Sequence, residues 1–121
     1  DDLQIVVSAN MKEREKEAEN AMNFINQEVT KFNNWIDSLD AVPTIVEIRN
    51  KAENIRNEEL EKALKKIDDL SELDKETLRL MSSSMVNKIL HKPTIKLKEK
   101  TQSEDGHIYL KAIRHLFHLD D

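Results

Sequence analysis

The chain has 121 residues, enough for one ordinary domain. It is 38% hydrophobic and 36% charged, with one glycine, two prolines and no cysteine; this rules out disulfides and thiolate chemistry and argues against a β fold with many hairpins. Its 24 acidic and 19 basic residues leave a net charge of −5, so any contact with nucleic acid needs a local basic patch.

Asp2 to Leu39 reads as one long helix. Ala18, Met22, Ile25, Val29, Phe32, Ile36 and Leu39 recur at alternating spacings of four and three, an a/d heptad seam, and neither Gly nor Pro interrupts it. Leu3, Ile5, Val6 and Val7 make the start of the helix denser in apolar residues, as an end packed against something else would be. About 37 residues at 1.5 Å each give a rod of ~55 Å. A compact globule of this chain length has a radius of gyration of only ~14 Å. The remaining residues cannot wrap such a rod, so its seam predicts cover from another domain or subunit.

Val42-Pro43 predicts the break after this helix, because the residue before a proline is pushed away from the α region. Thr44, with Glu47 three residues on, has the form of a capping box. The second helix is expected to run to about Ile67, with Ile45, Ile48, Ala52, Ile55, Leu60, Ala63, Leu64 and Ile67 on its apolar face. Asp74 is the expected cap of a third helix, whose face holds Leu78, Leu80, Met81, Met85, Val86, Ile89 and Leu90, and which Pro93 is expected to stop. Thr94 to about Lys100 then forms a short fourth helix anchored by Ile95 and Leu97. Residues 101–107 make a polar loop with the one glycine. A last helix is expected from about Ile108 to Leu119, with Leu110, Ile113, Leu116 and Phe117 inward. The predicted fold is all-α: a long connecting helix over residues 1–40, then a helical bundle over 41–121. No apolar run approaches the ~20 residues of a membrane span, and no signal peptide is visible. The opening at Asp1, already in helical pattern, is what a piece of a longer protein is expected to show.

Candidate chemistry is sparse. His115 and His118 sit at i,i+3, a spacing that metal sites in bundles use, but no second histidine cluster supports them, and histidine at a helix end also suits the macrodipole. Ser82-Ser83-Ser84 has no nucleophile-elbow glycine; small residues there favour close helix packing. Glu58, Glu59 and Glu61 lie among lysines and arginines, as solvated ion pairs do. Lys88, His91 and Lys92 suit the end of a helix. Lys88, Lys92, Lys96, Lys98 and Lys100 also form a small basic patch that phosphates would fit. From the residues alone, the chain is a non-catalytic helical module whose apolar seam needs a partner. That partner is a second copy or, in the alternative reading, a different protein for which this chain is a stand-alone adaptor.

The order of several segments goes further: Asp1-Asp2-Leu3, Asn10 and Arg14, Phe32 and Trp35, Pro43-Thr44-Ile45, Ile48-Arg49, Glu59-Leu60, Ala63-Leu64 and the run from Asn87 to Thr94. Together they resemble the last part of glutamyl-tRNA reductase, its "spinal" helix and dimerisation domain, over nearly the whole chain. The resemblance implies a cytoplasmic homodimer that reduces glutamyl-tRNA to glutamate-1-semialdehyde with NADPH in tetrapyrrole (porphyrin) biosynthesis. Other domains of that enzyme carry its catalytic cysteine and cofactor loop. The fragment itself then has no catalytic, cofactor or metal residues and is inactive alone. Its expected partners are itself and, through the parent enzyme, tRNA(Glu), with no membrane. Expected interface residues are Ile45, Ile48, Ile55, Leu60, Leu64, Leu78, Met81, Met85, Ile89 and Leu90. Asn87, Lys88, His91 and Pro93 form a structural motif, and Arg49, Arg56, Lys92 and Lys96 are candidate tRNA contacts.

Overall fold

The structure is a computed structural model that describes residues 1–121. It contains four helices and no strand: α1 (Asp2–Leu39), α2 (Val42–Lys66), α3 (Glu72–Thr101) and α4 (Gly106–Leu116). The chain divides into two compact units, Asp1–Ile36 and Asp37–Asp121.

The first unit is all but the last turn of α1. The helix has the predicted bounds, and Asp1 starts it by accepting the Leu3 amide on its side chain at 3.2 Å. No residue of α1 is buried. Contacts within it include the Lys31–Glu28 pair, the hydrogen bond that Thr30 donates to the Asn26 carbonyl, and the Phe32 and Trp35 rings 5.9 Å apart, tilted by 34°.

The second unit starts at the end of α1. The chain turns at Asp40–Ala41 and re-enters helix at Val42. Pro43 therefore does not break a helix. It occupies the first turn of α2, where a missing N–H costs nothing because that donor has no intrahelical acceptor. Thr44 is not a cap either: α2 has no side-chain cap, and Thr44 is buried inside its first turn. A connection from Ile67 to Ser71, with Asp69 in the left-handed region, turns the chain back into α3. The cap of α3 lies three residues before the expected Asp74: Ser71 Oγ accepts from the Asp74 amide at 3.0 Å. The two helices run antiparallel. Arg49 Nη1 donates to Asn87 Oδ1 at 2.8 Å and Arg56 Nε to Ser82 Oγ at 3.0 Å, so one number rises as the other falls.

Pro93 does not stop α3. The helix passes through it to Thr101, merging the expected third and fourth helices. An interior proline costs about 3 kcal/mol, through a lost hydrogen bond and a clash with the preceding turn. Leu90 and Leu97, seven residues apart and so on one face of a continuous helix, are 7% and 6% exposed. Burying two leucines contributes about 1.5–3 kcal/mol each, which outweighs the proline. His91 and Lys88 consequently sit in the middle of a helix and close no helix end.

A short turn leads from α3 into α4, which begins at Gly106, two residues before the expected start. A Cβ on Gly106 would stand 2.8 Å from the Thr101 Cα, so only glycine lets the end of α3 and the start of α4 approach this closely. α4 also ends early, at Leu116. His118 takes a left-handed conformation, and its amide and that of Leu119 return to the carbonyls of His115 and Arg114. Leu116, expected inward, is 71% exposed, while Leu110 and Ile113 are half-buried.

Candidate functional site

Large side chains are buried only sparsely in this chain: Ile48, Leu90 and Leu97 with Ala41 make up its buried apolar set. Its exposed area is 10000 Å². A compact monomer of the same mass would expose about 6,700 Å². Much of the exposed surface comes from large apolar side chains, among them Ile55, Met81, Met85 and Ile89.

In the second unit these side chains form one feature. The facing stripes of α2 and α3 leave between them an apolar groove of about 460 Å³. From α2 it is lined by Ala52, Ile55, Arg56, Glu59, Leu60 and Ala63, and from α3 by Leu78, Met81, Ser82, Met85, Val86, Ile89 and Leu90; Phe117 joins them from beyond α4. Ile55, Met81, Met85 and Ile89 are each more than half exposed. An apolar surface this continuous is uncommon on a protein that acts alone and marks a place where another surface sits. Met81 and Met85 add adaptable, unbranched side chains to it.

Polar groups at the groove are engaged within the hairpin. The Arg56 guanidinium bonds Ser82, the Arg79 carbonyl and Glu53, so it is held down between α2 and α3. Arg49 is likewise committed to Asn87. Lys96 is exposed and 3.8 Å from Glu99, and Lys92 is exposed. Ile45 and Leu64 are half-buried and Ile48 is buried; none of the three lines the groove, whereas the other seven expected interface residues do.

A second cluster, which periodicity does not reveal, gathers around Arg114. Its guanidinium donates to Thr44 Oγ1, to both carboxylate oxygens of Glu47, and to Asp120 Oδ1. The Glu47 of the expected capping box is used here instead. These hydrogen bonds hold the Glu47 and Asp120 carboxyls below their ordinary range and raise the Arg114 guanidinium further still. Arg114 lies 67 and 70 residues from its partners in α2, so no local pattern links them. His118 pairs with Asp121 rather than with His115, and no group of three or more His, Asp or Glu side chains is placed to hold a metal ion. No helix is long and apolar enough to cross a membrane.

Comparison with known proteins gives this geometry a context. Residues 20–119 match the family model described as glutamyl-tRNA reductase, dimerisation domain. A glutamyl-tRNA reductase of Thermodesulfovibrio yellowstonii is 44% identical over 120 residues, 99% of this chain and 28% of that protein. Those of Natranaerobius thermophilus and Geobacter sulfurreducens are 41% and 42% identical, over 100% and 98% of this chain and 26% and 27% of theirs. The chain thus spans little more than a quarter of the length of the curated relatives it matches. No solved structure gave a significant match. An apolar helical hairpin with an uncovered groove, matched along nearly all its length, leads to one conclusion: the chain belongs to the glutamyl-tRNA reductase dimerisation-domain family.

Proposed function

We propose that this chain pairs with a second copy of itself through the α2–α3 groove. The observation that carries the reading is the run of half-exposed Ile55, Met81, Met85 and Ile89 along one apolar groove in a chain of a dimerisation-domain family. A two-fold pair is self-complementary, so the same groove and its ridges serve both copies. Sedimentation equilibrium over a concentration series tests it: a mass of twice 14.1 kDa is expected. Met85→Asp, which puts a charge in the groove, should return the chain to a folded monomer. A wild-type chain that stays monomeric at high concentration sinks the reading and leaves the adaptor role, with its separate partner, to explain the exposed faces.

In the same reading the parent enzyme reduces glutamyl-tRNA with NADPH, a cytoplasmic step of tetrapyrrole biosynthesis, and this domain spaces two catalytic arms without performing chemistry. Residues 1–40 act as the connecting helix and 41–121 as the dimerisation domain. Of the four basic residues considered for tRNA, Arg49 and Arg56 are occupied within the hairpin, which leaves Lys92 and Lys96 as the proposed backbone contacts. Lys92→Glu with Lys96→Glu in the full enzyme should leave the dimer intact and lower tRNA affinity, with the salt slope reduced by about 1 per lysine. Unchanged affinity and slope would remove the lysines from the interface.

A further inference from the structure

One wall of the groove does not come from the α2–α3 hairpin. Phe117, the residue that closes α4, lines the same space as Ala52, Ile89 and Leu90. Lys51 Nζ donates to the Phe117 carbonyl at 2.6 Å, which sets the ring at the Ala52–Leu90 end rather than the Ala63–Leu78 end. One turn earlier Arg114 fastens α4 to Thr44 and Glu47 in the first turns of α2. Its remaining donors take Asp120, which the left-handed turn at His118 carries back to the helix end.

These ties matter because they join α4 to α2; α3 meets the other end of α4, where Gly106 closes on Thr101 and Lys100 Nζ lies 5.3 Å from the centre of the Tyr109 ring. α4 has 11 residues. Isolated helices below ~12–15 residues are marginal in water. Ile108 and Leu116 are 67% and 71% exposed, Leu110 and Ile113 are half-buried, and Gly106 is the one residue of the helix that is buried. The seating of α4 on α2 therefore depends on Arg114 and Lys51.

We propose that Arg114 is a positioning residue for self-association: by seating α4 it places Phe117 across one end of the groove, so that a second copy meets a surface built from three helices rather than two. The proposal rests on the self-association reading above. It makes the dimer depend on a residue outside the groove, through the one aromatic ring in it.

The test compares the dimer dissociation constants of wild type, Arg114→Gln, Phe117→Ala and the double variant by sedimentation equilibrium, with hydrogen exchange on α4 amides. Arg114→Gln should raise the constant about tenfold, as Phe117→Ala does, and the double variant should be no worse than the weaker single. The α4 amides should lose protection in Arg114→Gln while those of α2 and α3 keep theirs. An unchanged constant with α4 unprotected overturns the proposal, and so do two effects that simply multiply in the double variant. If Arg114→Gln does not fold, Lys51→Met removes only the tie to the Phe117 carbonyl and carries the same expectation and the same overturning result. A wild-type chain that never dimerises fails the self-association reading and takes this proposal with it. A dimer indifferent to these substitutions fails this proposal alone.

Discussion

The unit Asp1–Ile36 and the unit Asp37–Asp121 are built from the same kind of amphipathic helix, yet they treat apolar surface differently. In the first, every large apolar side chain from Leu3 to Ile36 is between 43% and 69% exposed. In the second, Ile48, Leu90 and Leu97 are buried, and Arg49, Arg56, Lys51 and Arg114 reach from one helix to another. A heptad seam arranges a surface but supplies nothing to cover it; a helical hairpin supplies both. Even the hairpin leaves its α2–α3 groove open, so both units present apolar surface, and only the second has an internal core to hold it in shape.

The sharpest way to break this contrast is to cut into that core. Leu97→Ala removes a side chain that is 6% exposed, in the segment of α3 beyond Pro93. It should destabilise the second unit by about 2–4 kcal/mol, read as a shift of the urea midpoint. Because Leu97 is half of the pair that offsets the proline, helicity after residue 93 should fall most. A cost below about 1 kcal/mol would mean that the continuous helix is held by something other than this burial.

Much of this architecture is legible in the sequence, and the parts that are not share a cause. The bounds of α1 and the end of α2 follow from long periodic runs in which many residues agree. The apolar stripes that face each other across the groove follow from the same periodicity. Pro93 misleads because the local rule weighs one lost bond, while the outcome depends on Leu90 and Leu97 being buried together. Thr44 and Glu47 mislead because a capping-box pattern is also a hydroxyl and a carboxylate one turn apart, and here Arg114 claims both from the far end of the chain. The left-handed residue after α4 is a histidine, where glycine is the usual signal, so nothing in the local sequence marks the end of that helix. Phe117 reads as an inward residue of the last helix, but it lines the groove, with its carbonyl accepting from Lys51, 66 residues away.

A smaller effect should appear in acid. Glu47 and Asp120 are held below their ordinary values of 4.5 and 3.8, first by hydrogen bonds from Arg114. Their lowered carboxyls keep fewer protons in the folded state than in the unfolded chain, so the cluster's contribution is complete above about pH 4.5 and is lost as pH falls through the lower folded values. The Glu47 and Asp120 side chains are 43% and 62% exposed, and screening keeps the contribution small. Thermal midpoints of wild type and Arg114→Gln should therefore differ at pH 6 and converge toward pH 3. A gap that stays constant across that range would mean that Arg114 stabilises α4 through packing rather than through its carboxylate partners.

The smallest effect is expected where the contrast is widest. Ile25 lies on the heptad seam of α1, in the same kind of register as Leu97 in α3, but it is 52% exposed. Ile25→Ala creates no cavity, and alanine is the better helix former by a few tenths of a kcal/mol. In this chain the substitution should change stability by less than about 0.5 kcal/mol, with helicity equal or slightly higher by circular dichroism. A loss of 2 kcal/mol or more, about that of a buried position, would show that the seam is covered in solution, by a second copy or by the chain itself. The dependence of that loss on protein concentration would separate the two cases, because cover supplied by another chain weakens on dilution and cover within one chain does not.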